Sequence, residues 1–263
     1  MHRSVRHKTA IPGIDVISIR SDCSFPRHTH DEFGFGYIVD GGQESWSGRG
    51  LVEASAGDVI AVNPGEVHDG IGSKGRPRHW HMLFLSVDLV ADYAGRPSSQ
   101  IEFHDPVSRK QDTYELVASA IEALAFADAD PAHIEELVTL ALGNLLNETG
   151  AGFASSKHSV AVGAVMDLVR DAWFEPLCLE DFSRTAGMSK FRILRTFSKE
   201  VGITPHAYLT QHRVKQARRL ILEGVPIAEA AIASGFSDQS HLTRAYSRQF
   251  GLTPGRDLKT RSV

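Results

Sequence analysis

Five histidines in the first third of the chain stand at spacings that let imidazoles act together: His28, His30 and His68, and the pair His79 and His81. Residues two apart on a strand share one face, because strand side chains alternate. A neutral imidazole offers one donor and one acceptor, and its acceptor nitrogen is also a metal ligand. Three uses are open: directed hydrogen bonds to an organic effector, structural pairing with backbone, or a metal site. The reading carried forward is an effector site of His28, His30, Glu32, His68, His81 and Trp46, with no metal and no cofactor assigned. Glu32 joins the face of His28 and His30 only if the strand stays regular. Phe33, Phe35 and Trp80 are further candidate walls, or plain core.

A second set lies near the C-terminus and suits nucleic acid. It comprises Lys190, Phe191, Arg192, Leu194 and Arg195, then Asp238, Gln239, Ser240, His241, Thr243 and Arg244. Arginine can fork onto guanine, glutamine can pair with an adenine edge, and an apolar side chain can meet a thymine methyl. No Ser–His–Asp arrangement, Walker sequence or glycine-rich phosphate loop is present, so the chain is read as non-enzymatic.

The elements that must hold the second set repeat. The stretch from Leu179 to Ser189 resembles that from Ile227 to Ser237 at an offset of 48, and Ile193 to Pro205 matches Leu242 to Pro254 at 49. One residue is therefore inserted just after the second serine. Each copy carries a short helix, a glycine (Gly187, Gly235), a serine (Ser189, Ser237) and a longer helix. Glycine ends a helix in the left-handed conformation, and serine caps the next one. Small residues at Ser183 and Ala231 let two helices cross closely. This is a helix-turn-helix in duplicate, with Ile193, Phe197, Leu242 and Tyr246 turned inward.

The histidines sit in a different setting. Short runs at 14–19, 33–39, 43–47, 59–62 and 79–86 are separated by turn residues such as Asn63-Pro64-Gly65, which predicts a sandwich or small barrel. At Asp105 the period changes. Asp105-Pro106 and Asp130-Pro131 each read as an N-cap followed by proline at the first helical position. Tyr114, Val117, Ile121 and Leu124 form one stripe, and residues from Ile134 to Leu146 form a wider one. That width leaves open a homodimer contact or a helix sunk between two domains.

Charge divides the chain at the same place. Residues 1–154 hold 12 Lys and Arg against 22 Asp and Glu, a net of −10, while residues 155–263 hold 16 against 10, a net of +6. A basic half suits a polyanion. With 42 % apolar residues in 263, the chain is neither disordered nor collagen-like, and no apolar run approaches the roughly 18 residues of a membrane helix. Residues 1–13 lack an apolar core, so no secretory signal is expected. Cys23 and Cys178 form no CxxC pattern, are read as buried small hydrophobes, and fit a reducing compartment.

The tandem repeat resembles the AraC/XylS family of transcriptional regulators, closely over residues 160–257, with the stretch from Gly235 to Pro254 the most specific part. The resemblance implies seven helices, with a helix around Thr204 to Leu222 joining two recognition helices. It implies base contacts from Phe191, Leu194 and Arg195 and from Gln239, Ser240, His241 and Arg244. Leu194 departs from the usual polar residue, and Cys178 stands where the family often has a serine cap. His28-Thr-His30 with the stretch from Gly57 to His68 resembles the cupin barrel that many such regulators use as a sensor. A cupin enzyme would add a glutamate to the three histidines, but Gly34 or Phe35 occupies that place.

The expected protein is an α+β two-domain chain: a cupin-like β-barrel sensor over 1–104, a helical hairpin over 105–149, a linker over 150–159 and an all-α tandem helix-turn-helix domain over 160–263. Its expected role is that of a cytoplasmic, homodimeric, sequence-specific regulator, more often activator than repressor, on double-stranded promoter DNA. A small organic effector and RNA polymerase are the further expected partners, and no membrane is. The alternative is a cupin-type metal-dependent enzyme or metal sensor fused to a DNA-binding module.

Overall fold

The computed structural model describes all residues except 1, 10, 49, 73–75, 127–128, 148–157 and 262–263. The chain divides into two compact units, one of residues 1–24, 29–155 and 260–263 and the other of residues 25–28 and 156–259. Most of the expected linker falls outside the described residues.

The N-terminal part of the chain carries two antiparallel sheets. One has six strands in the order β1 (His2–His7), β2 (Ile14–Ser21), β9 (Arg78–Leu85), β4 (Phe33–Asp40), β7 (Val59–Val62) and β10 (Val107–Ser108). The other has four: β3 (Phe25–His28), β8 (His68–Gly72), β5 (Gly42–Ser47) and β6 (Gly50–Ser55). The sheets remain separate, so the expected closed barrel is replaced by a cupin-like arrangement of two layers.

Alternation gives the large sheet two faces. Val16, Phe33, Phe35, Leu83 and Leu85 are buried on the face that packs against helices, in one core with Val117, Ile121, Val138 and Leu142. Pairing sets Tyr37 opposite His81 and Phe35 opposite Leu83 on that face. Gly36 is held by crowding: a Cβ there would overlap the His81 carbonyl oxygen.

Three helices complete the unit: α1 (Val87–Ala94), α2 (Gln111–Ala125) and α3 (Pro131–Asn147). Asp130 and Pro131 begin α3 as expected. Asp105 and Pro106 do not begin α2. Pro106 instead precedes β10, its carbonyl accepts from the Ala61 N–H at 3.0 Å, and α2 starts at Gln111. The apolar stripe of α3 is core: Ile134, Val138, Ala141, Leu142 and Leu145 are each at most 4 % exposed.

The second unit contains seven helices among its described residues: α4 (Val160–Ala172), α5 (Leu179–Ala186), α6 (Lys190–Val201), α7 (Pro205–Leu222), α8 (Ile227–Ala233), α9 (Gln239–Phe250) and α10 (Pro254–Arg261). Ile193, Phe197, Leu242 and Tyr246 are fully buried. Val214, Ala217 and Ile221 of α7 join the core of the second helix-turn-helix, so this helix is part of the repeat's packing rather than a spacer. Both cysteines are exposed, contrary to the reading of buried thiols: Cys23 lies just after β2, and Cys178 sits at the start of α5.

Candidate DNA interface and sensor site

Each helix-turn-helix is closed by the residues its repeat supplies. Gly187 and Gly235 have φ of +62° and +76°, in the left-handed region that a side chain resists. Ser189 caps α6, its Oγ accepting the Arg192 N–H at 3.3 Å. In the second copy Ser237 is not the cap. The inserted residue moves that role to Asp238, whose carboxylate accepts the His241 N–H at 2.7 Å. This bond holds the Asp238 carboxyl below its usual range. Asp238, exposed beside the other candidates, thus orients the start of α9.

The recognition helices present the remaining candidates outward. Lys190, Phe191, Arg192, Leu194 and Arg195 of α6 are exposed, as are Gln239, Ser240, His241 and Arg244 of α9; Thr243 is half-buried. Phe191 is 74 % exposed, an expensive display for an aromatic ring that nothing in its own core requires. Lys190 is engaged with Glu180 of α5, which raises its pKa, so any phosphate it meets competes with that carboxylate. His241 packs edge-on against Phe236 and lies 3.2 Å from the Ser237 hydroxyl, which orients its ring.

Two arginines that sequence reasoning missed fix this frame. Arg213 of α7 donates to the Trp173 carbonyl at 2.8 Å, the Glu175 carbonyl at 2.7 Å and the Gly235 carbonyl at 3.2 Å. It ties the α4–α5 loop to the turn of the second motif. Burial lowers its pKa. Gly235 is required by its φ, and a Cβ there would also lie 2.9 Å from the Arg213 guanidinium carbon and push against the staple. Arg218 pairs with buried Asp257 at 3.2 Å, and the Tyr246 hydroxyl donates to the same carboxylate at 2.5 Å. The repeat offered a signal only for Tyr246.

The three expected histidines converge. His28, His30 and His68 place ligand-capable nitrogens within 4.8 Å of one another. His28 Nδ1 lies 2.8 Å from the Pro26 carbonyl and His68 Nδ1 lies 3.1 Å from the Glu66 carbonyl. Carbonyls only accept, so each Nδ1 carries the proton. Such a set can receive a donor group of an organic molecule, and its donor chemistry also fits a transition ion.

The rest of the expected site is elsewhere. Strand β3 ends at His28, and Glu32 lies in a bend where its carboxylate accepts the Asp31 N–H at 3.1 Å, so it does not continue the histidine face. Trp46 alternates with buried Gln43 and Ser47 and pairs across from Leu51, which is 66 % exposed. It stands on the outer face of the small sheet. His81 faces the helices, where its Nδ1 meets the Ser18 hydroxyl at 2.7 Å and Ser18 meets His7 at 2.6 Å.

A helix-turn-helix domain model matches residues 182–260, and a model of the AraC-like ligand-binding domain matches residues 11–142. The HTH-type transcriptional regulator YbfI of Bacillus subtilis is 30 % identical over 83 % of this chain and 81 % of its own. The chain belongs to the AraC family. ExsA of Pseudomonas aeruginosa, another HTH-type regulator, is 38 % identical over 30 % of this chain and 28 % of its own. Among solved structures, ToxT from Vibrio cholerae covers 95 % of this chain and 98 % of its own, with a TM-score of 0.56 and 11 % identity, a likeness of fold. The duplicated motif is therefore the family's DNA-binding domain, and the two-sheet unit is its ligand-binding domain.

Proposed function

We propose that the chain is an effector-responsive activator that reads promoter DNA through α6 and α9, acting as a homodimer in the cytoplasm and recruiting RNA polymerase. The observation that carries the DNA reading is the outward display of Phe191, Arg195, Gln239, Ser240, His241 and Arg244 from two helices of one repeat. No described helix is long and apolar enough to cross a membrane, which agrees with this reading. The imidazoles of His28, His30 and His68, brought together within 4.8 Å, are where a small organic effector places its polar end. An effector shifts occupancy only by binding one DNA-binding state more tightly than another. No catalytic step is required.

A metal sensor is the second reading, favoured by the 4.8 Å cluster of the three histidines. Elemental analysis of untagged protein together with operator binding separates the two. Under the organic reading, metal-free protein keeps its response to effector, and His68→Ala weakens it. A stoichiometric transition ion whose removal abolishes the response establishes the second reading instead.

A further inference from the structure

The helix-packed face of the large sheet carries an open pocket that the histidine cluster does not use. It lies under the ends of α2 and α3, has a volume of about 690 Å³, and is lined among others by Tyr37, His81, Glu122, Phe126, His133 and Leu137. This is the size of a pocket for a drug-sized molecule. We propose that it binds hydrophobic organic cations, held by the Glu122 carboxylate and the aromatic faces of Tyr37 and Phe126.

Three observations select that class. Phe126 closes α2 and is 59 % exposed, yet its ring meets His7 edge-on at 4.7 Å and His81 at 5.7 Å, so it is held in place at the pocket's edge. An aromatic face within about 6 Å attracts a cation most strongly where water is partly excluded. The two polar groups of the floor are neutral at physiological pH. Burial pushes the Tyr37 phenol up to about 12, and burial with His79 and His7 nearby pushes His81 down to about 4. Neither repels a cation, and neither offers an anion a counter-charge. Glu122 then supplies the lining's carboxylate, against His133, whose ring lies 3.8 Å from Glu136. The surrounding unit is acidic over residues 1–154 as a whole. A molecule seated there touches the sheet and both helices, and so stabilises the packing of α2 and α3 on β4 and β9.

Tetraphenylphosphonium and tetraphenylborate differ in charge at nearly equal shape, and titration calorimetry of the full chain free of DNA measures both. The cation should bind about tenfold or more tightly than the anion. Glu122→Gln should abolish most of that ratio, and Glu122→Asp should restore part of it; Glu122 is exposed on α2, where the fold tolerates both changes. Phe126→Ala should weaken the phosphonium more than the borate, because the ring face attracts only the cation. Equal or tighter binding of the borate overturns the proposal, as does an unchanged ratio in Glu122→Gln. So does cation binding that His68→Ala removes and Glu122→Gln does not. None of these readouts involves the operator or the three-histidine cluster's effector, so the effector reading stands or falls separately.

Discussion

His81, His7 and His79 are held below the ordinary histidine range chiefly by burial, His81 down to about 4. An unfolded chain binds these protons near pH 6.5, so between pH 6.5 and 4 it takes up more protons than the folded one. Stability is fully present above about pH 6.5 and falls as the pH drops toward 4, with His81 contributing at most about 3 kcal/mol. Thermal unfolding of the ligand-binding domain followed across that range should show the loss, and His81→Gln should flatten it. A profile unchanged by His81→Gln contradicts the assignment. Arg244 belongs to the same scale. If it forks onto a guanine, Arg244→Ala costs about 1–3 kcal/mol and relaxes the preference at one position of one element. A phosphate contact would weaken all sequences alike and lower the salt slope by about one. Selection from random sites at two salt concentrations distinguishes them, and the base contact is expected, because exposed Gln239, Ser240 and His241 share its helix.

Helix α3 shows how an element can be legible in its pattern and not in its partner. Its wide stripe was visible in sequence, but periodicity records only that a face is apolar. The structure spends that face inside the protomer, with Leu142 2 % exposed against α2 and the sheet. Leu142→Lys should therefore unfold the domain, at a cost above about 3 kcal/mol, while Leu140→Lys, at a position 49 % exposed, should leave it folded. Chemical denaturation checks both; a folded monomer from Leu142→Lys would return that face to a dimer contact. The helical repeat was read well because glycine, cap and core residues act locally and twice. Strands β1, β3, β6 and β8 escaped, since edge-rich polar segments such as His2–His7 lack a clear alternation until a neighbouring strand pairs with them. Glu32 was misplaced for the same reason, because no local signal marked the end of β3 at His28. Arg213 was invisible because its three carbonyl partners lie about 20 to 40 residues away in sequence.

At the scale of the molecule, opposite charge on the two halves matches a division between a ligand-binding domain and a DNA-binding one, and the family match spans both. Within the DNA-binding domain, α7 and the Arg213 staple make the two motifs one body, so their recognition helices should engage the duplex together. Arg213→Ala removes three hydrogen bonds from that frame. It should weaken binding to two-element sites more than to either element alone, measurable by titration of split and intact sites; an equal loss on both would make Arg213 a stabiliser only. One protomer should then read two major-groove elements on one face of the DNA, where same-face grooves recur about every 10.5 base pairs. Footprinting of residues 155–263 on a selected site tests it most directly. Two short protected elements about one helical turn apart, the first altered by Arg195→Ala and the second by Arg244→Ala, is the expected result, and a single protected element insensitive to one of these substitutions would contradict it.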